Sequence, residues 1–206
     1  MLLFADKLQF KFMTAGHFFF RYRSYTPIPF IIPLLLYARP TEMTMLVGFI
    51  FVVLGETLRF WGVCYAGSET RTTGKTGGTN LVTQGPFSYV RNPLYLGNMI
   101  IYFGYGIMAY SLFPVLQILG LLFFAVQYYF IVKEEEETLR NKFKEKYDDY
   151  FKSVGRFIPS LKTYTTEKQS KLKFNFKDGY KSEKRTLQGV LTVLIFIIVL
   201  YFLTHG

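Results

Sequence analysis

Residues 85–98 read GPFSYVRNPLYLGN. Turn residues open the stretch, Arg91 and Asn92 precede Pro93, and the chain then runs directly into a long apolar segment. Proline is favoured at the first position of a helix, so Asn92-Pro93 marks a helix entry. Polar groups therefore gather where the chain passes into an apolar environment, and the surrounding sequence says what that environment is. Downstream, Leu94 to Tyr110 and Leu112 to Val132 are apolar and separated only by a break around Ser111 and Pro114, which predicts a tight helical hairpin. Asn98, Gln117 and Gln127 lie within it and are expected to face other helices. Upstream, residues 43–65 are long enough to span a bilayer yet carry Glu56 and Arg59, three residues apart and so on one helix face. That pair either stitches helices together or serves a site beside it. Residues 28–38 are apolar but short and contain Pro29 and Pro33; they cross only with help from flanking residues, and crossing is the expectation. Leu187 to Leu203 forms a last apolar run that predicts a packing or anchoring helix.

The expected fold is therefore an all-α polytopic membrane helical bundle of about five transmembrane helices, with a cytoplasmic amphipathic helix. The last element is carried by ETLRNKFKEKYDDYFKSVGRFIPSL, in which Leu139, Phe143, Tyr147, Tyr150, Phe151 and Val154 recur at helical spacing. Four parts follow: an interfacial N-terminal segment over 1–26, a membrane domain over 27–161, a basic linker over 162–186 and a C-terminal transmembrane helix over 187–206. Within the polar loop 66–92, the glycines at 74, 77 and 78 read as flexible linker or as a close approach to a charged group.

Composition narrows the class. Half of the 206 residues are apolar and 19% aromatic, and the formal net charge is +10. The aromatics sit in apolar runs and do not alternate with basic residues, which excludes a nucleic-acid stacking platform and leaves an anionic membrane surface as the partner. Cys64 is alone, and His17 and His205 lie near opposite ends, so neither a disulfide nor a metal site is expected. The N-terminal residues do not read as a signal peptide. If all five apolar segments cross, 22 of the 24 basic residues fall on one side. The positive-inside rule then puts the N-terminus and the polar site in the cytoplasm, with the C-terminus opposite.

The second polar cluster is the acidic run Glu134 to Glu137, where the chain leaves the membrane again. By themselves Arg91, Asn92, Glu135 and Glu136 suit a small zwitterionic or polyol-bearing ligand. A solvated helix start is the alternative for the acidic run, since four consecutive carboxylates cannot share one face. The two signatures, GPFSYVRNPLYLGN and then EEEETLRNKFKEKYDDYFKSVGRFIP, together resemble the integral-membrane methyltransferases that include isoprenylcysteine carboxyl methyltransferases and phosphatidylethanolamine N-methyltransferases. The resemblance spans roughly residues 45–161. It implies S-adenosylmethionine at the cytoplasmic membrane surface and a lipid acceptor from the bilayer. Matched residue by residue, it assigns the cofactor to Arg91, Asn92, Pro93, Tyr95, Gly97, Glu135 and Glu136, and candidate chemistry to Glu135, Glu136 and Arg156, with no metal. Asn92 stands where the carboxyl methyltransferases have histidine, which tilts the expectation toward phospholipid N-methylation; Lys144 stands where a glycine is usual. Carboxyl O-methylation, an NADPH-dependent membrane reductase of related helices, and a non-catalytic scaffold remain alternatives.

Overall fold

The computed structural model describes residues 15–67, 80–166 and 172–205; the glycine cluster at 74–78 and the first half of the N-terminal segment lie outside these. Among the described residues seven α-helices follow in order: α1 over residues 15–22, α2 Ile28–Leu36, α3 Glu42–Ala66, α4 Pro93–Ala109, α5 Val115–Phe143, α6 Glu145–Ser153 and α7 Phe176–His205. No strand is present among the described residues. The bundle is all-α, and α3, α5 and α7 are long and apolar enough to cross a membrane. Their outward apolar side chains, such as Leu54, Leu122, Ile195 and Phe202, are exposed, as lipid-facing residues are. The chain is an integral membrane protein. α4 has 17 residues, about 25 Å at 1.5 Å per residue, and the nine-residue α2 covers only about 14 Å.

Local signals set the helix ends. Thr41 caps α3 through a capping box with Thr44. Pro93 opens α4, and Tyr110 closes it in the left-handed conformation. The hairpin break is held by Gln117, whose amide donates to the carbonyls of Gly106 (2.8 Å) and Ser111 (3.0 Å). Asn98, whose amide donates to the Tyr128 hydroxyl of α5 (3.1 Å), and Gln117 thus bond to neighbouring segments as expected, whereas the fully buried Gln127 amide has no hydrogen-bond partner among the described residues.

α3 and α4 pack along a glycine seam. Gly48, Gly55 and Gly62 recur every seven residues on α3; Gly48 faces Gly104, Gly55 faces Gly97 and Gly62 faces the Leu94 side chain of α4. A Cβ on Gly55 would lie 2.7 Å from the Gly97 carbonyl oxygen, and one on Gly104 would lie 2.8 Å from that of Gly48. Small residues let two backbones approach closely, which is how helices associate where lipid is as apolar as leucine.

Two elements differ from the sequence expectation. The amphipathic segment is not one helix: α5 continues through the acidic run to Phe143, and the chain turns at Lys144, φ +49°, before α6. Side chains rarely adopt this conformation, which explains why a glycine suits the position. The expected apolar face survives the break, since Tyr147, Tyr150 and Val154 are buried against Leu139, Phe143 and Phe151. α7 begins at Phe176, eleven residues before the apolar run, so part of the basic segment is helical and packs on the bundle. Gly179 lies against Cys64, Asn175 N–H donates to the Cys64 carbonyl (2.8 Å), and the Tyr105 hydroxyl donates to the Val190 carbonyl (2.9 Å).

Candidate active site

The segment before α4 and the segment after α6 clasp each other. Val90 pairs with Gly155 in a parallel bridge, Arg91 N–H donates to the Gly155 carbonyl (2.9 Å), and Ser160 N–H donates to the Tyr89 carbonyl (2.7 Å). The Tyr150 hydroxyl adds a bond to the Phe87 carbonyl (2.7 Å). Gly85, at φ +60°, starts this clasp; a side chain there would run into the Tyr65 ring. The later part of the 66–92 loop is therefore built structure and no linker.

The clasp brings both sequence signatures together. Arg91 donates from Nε to Glu136 Oε1 (3.0 Å) and from Nη1 to the carbonyls of Phe151 (2.7 Å) and Val154, with its guanidinium 4.2 Å from the centre of the Phe151 ring. Arg156 donates from Nη2 to Glu136 Oε2 (2.5 Å). Burial opposes the charge on Arg156, but the hydrogen bond and charge of Glu136 outweigh it and hold the guanidinium above its ordinary value. Both oxygens of the Glu136 carboxylate are thus taken by arginines, at 7% side-chain exposure.

Glu135 has a different environment. One residue is about 100° of helix, so its carboxylate diverges from that of Glu136 and accepts the Tyr95 hydroxyl (2.9 Å). The alternative of a solvated helix start does not hold: none of the four glutamates is exposed. Glu134 turns toward α1, where its carboxylate is 3.9 Å from His17. Nearby on α6, burial pushes the Tyr147 and Tyr150 phenols above their ordinary values, so both remain neutral.

These groups line one end of a cavity of about 860 Å³. Arg23, Arg91, Asn92, Pro93, Tyr95, Glu135, Glu136 and Leu139 form that end; Tyr102 and Tyr105 of α4, Tyr128 of α5, and Val190 and Val193 of α7 line the rest, within the apolar stretches of their helices. Six of the eight sequence candidates line it. Gly97 does not: its Cα faces α3, where a Cβ would lie 2.5 Å from Arg59 Cγ. Arg156 reaches the site only through Glu136 and through its carbonyl, which accepts from the Asn92 amide (3.2 Å).

Sequence reasoning missed most of the deep wall. Arg59 and Glu56 share a face, but their closest approach is 3.9 Å. Arg59 instead donates to Glu183 of α7 (2.6 and 2.9 Å) and to Asn98 of α4 (2.5 Å), linking three helices beside the cavity. The signal that would have found this is Glu183 itself, an acid set among lysines and followed by an apolar run.

Comparison with known proteins gives three matches. A family model described as phospholipid methyltransferase matches residues 43–146, just over half of the chain. A protein named nickel-cobalt-cadmium resistance protein NccN, from Alcaligenes xylosoxydans xylosoxydans, is 31% identical over 121 residues, 59% of this chain and 52% of its own. A second, cobalt-zinc-cadmium resistance protein CzcN from Cupriavidus metallidurans, is 31% identical over 127 residues, 62% of this chain and 54% of its own. The chain thus spans about half the length of the curated relatives it matches. No solved structure matches it.

Proposed function

Since the chain belongs to the phospholipid methyltransferase family, we propose that it moves a methyl group from S-adenosylmethionine to the amine of a membrane phospholipid at the cytoplasmic surface. The observation that carries this reading is the single cavity reaching from the Glu135 carboxylate to Tyr105 and Val193. A polar donor and an amphiphilic acceptor can meet only in a space that touches both media. Its donor set suits the cofactor. A sulfonium and an ammonium call for a carboxylate and aromatic faces, which Glu135, Tyr95 and Tyr128 supply. When bound, the cofactor supplies an electrophilic methyl group, so the protein's tasks are positioning, water exclusion and proton handling.

Those tasks divide among named residues. The Tyr95 hydroxyl orients Glu135, and Glu135 is placed to receive the proton that an ammonium acceptor must lose. Glu136 is no such acceptor, since two guanidiniums hold it; with Arg91 and Arg156 it positions the clasp. Asn92 and Pro93 hold the mouth of α4 against it. Arg91 and Arg156 are both engaged by Glu136; Arg23 is a further cation at this end, and Glu135, whose hydrogen-bond partner is the neutral Tyr95 hydroxyl, is the carboxylate left to meet an ammonium group. An amine acceptor therefore matches the site better than a carboxylate, which favours N-methylation over O-methylation.

The test is calorimetric binding of S-adenosylhomocysteine to detergent-purified protein, followed by transfer of labelled methyl groups to phosphatidylethanolamine vesicles. Micromolar binding is expected for the wild type, weakened at least about tenfold in Glu135→Gln, as loss of a charged hydrogen-bond acceptor does. No binding by folded protein, or stabilisation by NADPH instead, would overturn the reading. The relatives' names concern metal resistance, so lipid extracts from cells grown with and without sublethal cobalt make a useful companion sample.

A further inference from the structure

α7 lies wholly outside residues 43–146, yet it supplies a whole wall of the cavity. Three of its lining residues, Arg185, Gly189 and Val193, recur every four residues and so share one face. Their order is a cation, a gap and an apolar side chain. Arg185 is exposed, and no described carboxylate pairs with it. A Cβ on Gly189 would meet nothing within 4 Å, so the glycine leaves open space. Val193 continues the wall beside Val190 and Tyr105. The orientation of this face is fixed by the Glu183–Arg59 pair and by the Tyr105 bond to the Val190 carbonyl.

From Arg185 to Val193 the helix rises about 12 Å. The polar layer on one side of a bilayer is roughly 5–8 Å thick, so the stripe starts at headgroup level and ends in hydrocarbon. Resting on the methyl-transfer reading above, we infer that α7 carries the acceptor subsite. Arg185 pairs with the phosphodiester of a phospholipid, the glycerol passes Gly189, and the acyl chains run along Val190 and Val193 between α7 and Ile31 of α2, which lines the same cavity. The amine is thereby directed toward Glu135. Arg185 and Gly189 are specificity-determining residues, and neither is part of the methyl-transfer machinery.

The experiment titrates a short-chain phosphatidylethanolamine and, separately, acyl-free glycerophosphoethanolamine into detergent-purified protein, with and without S-adenosylhomocysteine. Arg185→Gln should weaken both ligands roughly tenfold, and Arg185→Lys should recover part of the loss. Gly189→Leu should weaken the lipid by at least about as much and leave the acyl-free ligand unchanged. S-adenosylhomocysteine affinity and melting temperature should hold in all three variants, because a Cβ at Gly189 meets no atom within 4 Å and leucine is the better helix former. Unchanged lipid affinity in Arg185→Gln and Gly189→Leu, with S-adenosylhomocysteine still bound, overturns the subsite and spares the methyl-transfer reading. Wild-type protein that fails to bind S-adenosylhomocysteine but binds lipid in an Arg185-dependent way sinks the methyl-transfer reading and keeps the subsite.

Discussion

Glu135 and Glu136 are neighbours with opposite energetic roles. Glu136 compensates two arginines at 7% exposure, so Glu136→Gln leaves both guanidiniums without their carboxylate. Breaking a buried pair by removing one partner costs about 3–5 kcal/mol, and the expected result is a large fall in melting temperature in detergent. Glu135→Gln should melt as the wild type does, because its one described partner is the neutral Tyr95 hydroxyl, and should lose cofactor affinity instead. Equal melting temperatures for the two variants would contradict the division. The motif was legible in the sequence; the division within it was not. Spacing tells that consecutive residues diverge on a helix, but which side meets Arg91 and Arg156 depends on the clasp between residues 90 and 155, a contact no local pattern encodes. Arg91→Ala is for the same reason a poor probe of cofactor binding, since Arg91 also holds the Phe151 and Val154 carbonyls.

Among the elements, the α3–α4 seam shows how one residue type can be read two ways. Gly97 falls within the family-like motif and so reads as a cofactor residue, yet it packs on Gly55 and Arg59. Gly97→Ala would place a methyl group 2.5 Å from Arg59 Cγ and 2.8 Å from the Gly55 carbonyl oxygen. Overpacking of that kind costs about 1–3 kcal/mol. The expected outcome is a lower melting temperature with S-adenosylhomocysteine affinity retained by the folded fraction; lost affinity at unchanged stability would return Gly97 to the site. Helix existence was legible for the long apolar elements, because length and hydropathy suffice. The boundaries of α5, α6 and α7 were not, because the Lys144 turn and the helical basic segment depend on tertiary contacts made by Tyr147, Gly179 and Glu183.

At the scale of the molecule, α7 completes the bundle through Arg59. Glu183→Gln should leave Arg59 as a buried cation with only Glu56, 3.9 Å away, for charge. Loosening of α7 is then expected to expose Cys64, the sole cysteine, which lies at 2% exposure beneath Gly179. A membrane-permeant maleimide should label Cys64 several-fold faster in the variant than in the wild type by the loss of that pair; protection equal to the wild type would show that α7 stays docked without it. The membrane class and the run of apolar segments were legible from composition. The cavity was not, because its walls come from residues more than a hundred positions apart. That separation also has a meaning in time. Arg59 and Glu183 are 124 residues apart, and a ribosome adding 5–20 residues per second needs roughly 6–25 s to make that length. During synthesis α3 must enter the bilayer while its counter-charge has yet to be translated. The nascent protein therefore passes through an interval in which a membrane-embedded arginine has only Glu56 of its own helix, 3.9 Å away in the finished fold, as counter-charge, and cellular quality control has that window in which to tell a finished chain from one that stopped early.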